Sequence, residues 1–198
     1  MSTHGGVSIF LETPQKISKV HLFRYWDGMP KGMLTELLPF FKMIMDGTIP
    51  LDAKGSEVHN PADWLIYMGH LAEKEVIERA RGGAYNLGQD KFSIFERVMD
   101  DNRTTVEYYY VVSFSVDSNG NKDGKIMVWN NGKPPSETGL SGYDFFISPG
   151  FPFPSLKENI EHYAKKYDVD LQSEMNFYKE KINNIEFFDL RNKFPEKF

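Results

Sequence analysis

The residues whose types suit them to chemistry lie mostly in the first thirty positions. Ser2 follows Met1, and serine is small enough for the initiator methionine to be trimmed, which would free an amine and a hydroxyl on one residue. That pairing suits an N-terminal nucleophile, whose own amine serves as the base. It also suits an ordinary first strand. Downstream, Arg24-Tyr25-Trp26-Asp27 offers a guanidinium, a phenol, an indole face and a carboxylate in one run, closed by Gly28-Met29-Pro30. Such a run reads as a binding loop, or as the turn that any strand needs on leaving a sheet, with Asp27 capping the local backbone. Phe151-Pro152-Phe153 is the candidate protein contact, because flanking prolines hold it extended and its rings would lose little entropy on docking. The alternative lays those rings on the domain's own core.

Other constellations fall away on spacing. The histidines at 4, 21, 59, 70 and 162 are far apart, and His70 with Glu73 is the one local pair of ligand type, so no metal site is expected. Asp117-Ser118-Asn119-Gly120-Asn121-Lys122-Asp123 imitates a calcium loop, but Lys122 stands where the sixth-position glycine belongs and no glutamate falls at the twelfth. It reads as a hairpin turn. Ser113, Ser115 and Ser148 lack a triad pattern, no glycine-rich segment has phosphate-loop spacing, and no cofactor is implied.

Composition sets the outer limits. The chain has 198 residues and a formal charge of −5, with positive residues scattered, which disfavours general nucleic-acid binding. With no cysteine there is no disulfide framework or thiolate chemistry, and the N-terminus lacks the basic and apolar regions of a signal peptide. A cytoplasmic setting is expected. No apolar run approaches the roughly 20 residues of a membrane helix, so no membrane partner is expected either. Aromatic residues reach 15%, in clusters such as Tyr108-Tyr109-Tyr110, where alternation sends neighbours to opposite faces. Either both faces of a sheet are covered, or some rings meet a partner.

The elements that would position these residues follow from periodicity. Segments 4–11 and 18–26 predict a hairpin around Pro14, with Val20, Leu22 and Arg24 on one face and His21, Phe23 and Tyr25 on the other. Asp27-Gly28 suggests a positive φ, and Pro30 ends the strand. Leu34, Leu37, Leu38, Phe41, Ile44 and Met45 predict a helix with a kink or a new start at Pro39. Asn60-Pro61-Ala62-Asp63 is a capped helix start, with an apolar stripe from Trp64 through Leu65, Met68 and Leu71 toward residue 80. Strands are expected at 91–98, 104–116 and 124–130, a connector at 131–154, helices from 155 and 171, and a last strand near 186–192. The hairpin of 4–26 should share a sheet with 104–116, since both carry apolar and aromatic alternation that needs one core. This predicts an α+β domain with a mostly antiparallel sheet and paired helices, a single domain over 1–198 with 1–130 as its core and 131–198 a loop plus a helical extension.

Two resemblances attach to these residues. Met1, Ser2, Thr3, Arg24, Trp26, Asp27, Gly28 and Pro30 are similar to a group of short phage and bacterial proteins that open Met-Ser-Thr-Arg and soon reach Tyr-Arg-His-(Ser/Trp)-Asp-Gly-Tyr-Pro. Val106-Glu107-Tyr108-Tyr109-Tyr110-Val111 resembles that group's acidic-aromatic strand, so the likeness spans about the first 115 residues. His4, Tyr25 and Met29 depart from the pattern. The resemblance implies a phage or mobile-element origin, and the acidic balance, the aromatic excess and the lack of a catalytic constellation point to an accessory protein that binds a host or defence protein or a small ligand, for instance as an anti-defence inhibitor. The order of elements also resembles the layered αββα arrangement of N-terminal nucleophile hydrolases, which implies the alternative of an amidohydrolase using Ser2. Oligomeric state is not legible.

Overall fold

The computed structural model describes residues 4–24, 28–47, 49, 51, 60–66, 96–99, 106–130 and 156–189. Six strands form one sheet in the order β3-β2-β1-β4-β5-β6. They are β1 (Gly5–Glu12), β2 (Ile17–Arg24), β3 (Glu96–Val98), β4 (Tyr108–Val116), β5 (Lys122–Asn130) and β6 (Glu186–Asp189). Three neighbouring pairs are antiparallel, while β1 with β4 and β5 with β6 run parallel. The helices are α1 (Pro30–Met45), a helical segment described over 62–66, α2 (Leu156–Tyr167) and α3 (Leu171–Asn183). The α+β class is thus met, and the first hairpin does share a sheet with 108–116, since β1 lies directly beside β4. The described strands build one sheet, so two stacked sheets, as a layered αββα arrangement needs, are not seen among the described residues.

The hairpin forms around a turn at Thr13–Lys16, whose backbone bonds close at 2.9 and 3.3 Å and set the register Glu12 against Ile17. From that register alternation carries Val7, Ile9, Leu11, Val20, Leu22 and Arg24 to one face, joined by Tyr110, Val112, Phe114, Ile126 and Val128. All the described helices pack on this face. α1 is apolar nearly all round, with Met33, Leu34, Leu37, Leu38, Phe40, Phe41 and Ile44 each at most 1% exposed, as befits a helix sunk in a core. Pro30 starts it and Pro39 lies within it, yet it runs on as one element, so the new start suggested at Pro39 does not occur. It ends where Gly47 takes φ +86° and where the Lys122 ammonium, reaching from β5, donates to Ile44 O at 3.1 Å. Gly124 lets the Phe41 ring approach the sheet closely, because a Cβ there would come within 2.9 Å of it.

Asn60 is the expected helix cap. Its Oδ1 accepts from Ala62 N at 2.9 Å, and its Nδ2 donates to Ile9 O at 3.1 Å and Ser18 Oγ at 3.0 Å, which ties the start of this helix to the hairpin. The apolar stripe, however, has a different phase from the one expected. Ala62 and Leu65 are buried, whereas Trp64 is 40% exposed. At α3, Asp170 accepts from Ser173 N at 2.8 Å, and Glu174, Tyr178 and Ile182 form the buried stripe four residues apart.

Candidate functional site

At one end of the sheet lie the strand ends from which the segments singled out in the sequence arrive or depart. Register aligns Arg24, Gly5, Tyr108, Asn130 and Asp189 in a single row across β2, β1, β4, β5 and β6. The chain therefore enters β1 and β4, and leaves β2, β5 and β6, at this same end. Ser2 precedes β1 by three residues, Tyr25, Trp26 and Asp27 follow β2 directly, and the segment bearing Phe151 and Phe153 departs from Asn130. Those six residues lie outside the described ones; Arg24 is described.

Arg24 sits inside the fold, 1% exposed. Its Nη1 is 2.9 Å from Glu36 Oε1 on α1 and 3.8 Å from Met33 Sδ. Charge is thus balanced within the domain, and the pair fixes the N-terminal half of α1 against the end of β2. Beside it the Tyr110 hydroxyl donates to Gly28 O at 2.7 Å. Burial pushes the Tyr110 pKa well above its usual value, the Tyr108 phenol adds to the rise and Arg24 opposes it, so Tyr110 stays a neutral donor to the turn. Gly28 itself is chosen by space. Its φ is not left-handed, contrary to the expectation from Asp-Gly, but a Cβ there would lie 2.3 Å from both Gly5 N and His4 C. Two backbones touch at this point, and only glycine permits it.

At the entry to β1, His4 N donates to the exposed Glu107 carboxylate at 2.8 Å, and the His4 ring tilts against Phe23 at 5.6 Å. Tyr108 is half-buried, its pKa raised by burial and then by the Glu107 charge. The residue after Ser2 and Thr3 is therefore anchored between a carboxylate and an aromatic ring at the same end as Arg24.

The opposite face of the sheet holds a cluster that spacing alone did not reveal. Ser8, His21 and Tyr109 come from three adjacent strands, with Ser8 Oγ 2.7 Å from His21 Nδ1, 2.7 Å from Tyr109 Oη, and His21 Nδ1 3.1 Å from Tyr109 Oη. A hydroxyl within reach of an imidazole is the first requirement of a serine nucleophile. Here the three atoms close on one another. With His21 protonated on Nε2, Ser8 donates to Nδ1 and Tyr109 donates to Ser8 Oγ, so each hydroxyl proton has an acceptor inside the ring. Ser8 and Tyr109 are each 1% exposed, which makes the cluster a satisfied polar tie between strands. The signal for half of it was present in the hairpin register, where Ser8 and His21 are direct partners on one face. Next to it lies an aromatic row of Phe23, Tyr109, Trp129 and Phe188 interrupted by Gly6, with Trp129 stacked on Phe188 at 4.9 Å. Val106, Tyr109, Val111, Met127 and Trp129 are buried on this face, so rings of the tyrosine run are withdrawn from solvent on both sides of the sheet.

Two further charged groups serve the scaffold. Lys42 of α1 binds Asp46 Oδ2 at 2.9 Å and Glu174 Oε1 of α3 at 3.0 Å. Burial works against its ammonium, but those hydrogen bonds and charges outweigh burial and raise its pKa. Asp117 spends its carboxylate on the hairpin, accepting from Asn119 N, Asn121 N and Asn121 Nδ2, each at 2.8 Å. Among the described residues no group of three or more acidic or histidine side chains is placed to hold a metal ion, and no described helix is long and apolar enough to cross a membrane. In comparisons with protein-family profiles, curated proteins and solved structures, nothing matched the chain.

Proposed function

We propose that the chain is a phage or mobile-element accessory protein that works by binding a host or defence protein or a small ligand, and that it does so at the end of the sheet marked by the row Arg24–Gly5–Tyr108–Asn130. The observation that carries this is the register: it sets the start of β1, the end of β2 before Tyr25-Trp26-Asp27 and the end of β5 before the 131–155 segment at one end of the sheet, over a base made rigid by Arg24–Glu36 and Tyr110–Gly28. Rigid elements beneath variable chain ends are the usual architecture of a recognition surface. The phage origin rests on the sequence resemblance, and the binding role on the acidic balance, the aromatic excess and the lack of a catalytic constellation in the sequence.

The test is affinity capture from host extract with four proteins. The wild type and Ile17→Ser, altered at the far end of β2 where Ile17 is 63% exposed, should capture the same partner; Trp26→Ala/Asp27→Ala should fold and lose it. Retention by the double variant would overturn the assignment. Phe151→Ser/Phe153→Ser belongs with the double variant, keeping its melting temperature while losing the partner.

A second reading, an amidohydrolase with Ser2 as its nucleophile, is favoured by one observation. His4 N is held by Glu107 and Gly5 pairs with Arg24, which fixes the backbone two and three residues after Ser2 beside a carboxylate. Intact mass tests this second reading in one direction: a chain that keeps Met1 has no free Ser2 amine and removes it, whereas loss of Met1 is compatible with both.

A further inference from the structure

The β4–β5 hairpin carries chemistry that the binding proposal does not use. Asn119 and Gly120 are consecutive and exposed, and among the described residues the Asn119 side-chain amide has no hydrogen-bond partner and nothing lies within 4 Å of where a Gly120 Cβ would stand. In an Asn-Gly pair the glycine nitrogen reaches the asparagine Cγ without a side chain to obstruct it. That nitrogen is presently occupied. Gly120 N donates to Asp117 O at 3.0 Å, Asp117 N donates to Asn121 O at 3.0 Å, and the Asp117 carboxylate grips Asn119 N and Asn121 N on one oxygen and the Asn121 amide on the other. Attack on Asn119 requires this network to open.

We propose that Asn119 is a site of spontaneous modification through a cyclic imide to aspartate and isoaspartate, and that Asp117 is the group that restrains it. Gly120 N gives up its proton to solvent base and attacks Asn119 Cγ. The N–Cγ bond forms, the bond from Cγ to the amide nitrogen breaks, and ammonia leaves with a proton from water. A second water then opens the ring. Hydrolysis at Cγ returns aspartate, and hydrolysis at the former Asn119 backbone carbonyl leaves isoaspartate, with the main chain running through the side chain. Water is the sole co-reactant and no electron is gained or lost. The product adds a negative charge beside Asp117 and Asp123, and the isoaspartate form lengthens the backbone three residues before Lys122. That lysine caps α1 at Ile44 O, so the change reaches the anchor of the hairpin on the core helix.

Peptide mapping of the full chain, aged at mildly alkaline pH, tests this. Asn119 should become heavier by the one-dalton exchange of amide for acid, with isoaspartate the larger product. Asp117→Ala should convert about fivefold to tenfold faster, the worth of one hydrogen bond or slightly more. Asn121→Ala, which removes only the side-chain bond to Asp117, should give a smaller acceleration and guards against a fold defect in the first variant. Two results would overturn the proposal: an unconverted Asn119 under conditions that convert the same sequence as a free peptide, or equal rates in the wild type and both variants.

Discussion

Gly28→Ala is the perturbation that most sharply separates steric demand from dihedral demand in this fold. A Cβ at Gly28 falls 2.3 Å from Gly5 N, 2.3 Å from His4 C and 2.6 Å from His4 O, where ordinary contact begins at 3.4 Å. The obstructing atoms are all backbone, so no side chain can swing aside. The turn or the start of β1 must move by about 1 Å, and β1 is held on both sides by β2 and β4. Overpacking of this sort costs typically 1–3 kcal/mol, and loss of the Tyr110–Gly28 bond places this case near the top, at about 3 kcal/mol. For a domain of this size that corresponds to a fall of roughly 6–12 °C in melting temperature. Gly120→Ala is the matched control, since it has open space but φ +85°, and should lose about 1–2 kcal/mol from the left-handed backbone alone. Equilibrium urea unfolding of both variants, with slopes compared to exclude a changed denatured state, measures the difference. A Gly28→Ala loss no larger than that of Gly120→Ala would refute the reasoning.

Trp64→Ala should cost less than about 1.5 kcal/mol because the ring is 40% exposed, whereas Trp129→Ala, 1% exposed, should cost about 3–5 kcal/mol; chemical denaturation ranks them. Lys42 has a folded pKa above its ordinary 10.5, so its stabilisation is complete below that value and is lost as pH rises through the folded pKa. The stability gap between wild type and Lys42→Met should hold at neutral pH and narrow only as pH rises above 10.5. Asp117 behaves in the opposite sense. Hydrogen bonds from Asn121 and the turn lower its pKa, so the gap between wild type and Asp117→Ala should be full above the usual carboxylate value and close as pH falls through the folded pKa.

Much of the local structure was legible in the sequence because its causes are local. Alternation in β1 and β2, the apolar positions of α1, the Asn60 cap and the Asp117 turn each follow from residues within one element, and each appears in the structure. Long-range relations were not legible. Ser8 and Tyr109 are 101 positions apart, and no local pattern states that β1 and β4 run parallel in the register that joins them. Trp64 misled for a related reason. With apolar residues at both 64 and 65, periodicity left the helix phase open, and the packing of Ala62 and Leu65 on the sheet settled it with the larger ring outside. Gly28 was read for its conformational freedom and serves instead by its lack of a Cβ, a demand created by a neighbour on another strand. At the candidate site, Arg24 was recognised as a distinctive residue, but its ion pair with Glu36 depends on how α1 lies across the sheet.

Amide hydrogen exchange with and without the captured partner tests the central claim most directly. Binding at the proposed end predicts added protection at His4–Val7, Leu22–Arg24, Val106–Tyr110 and Val128–Asn130, with the far end, at Thr13–Ile17 and Asp117–Asp123, unchanged. Protection confined to that far end, with none along the row from Arg24 to Asn130, would contradict it.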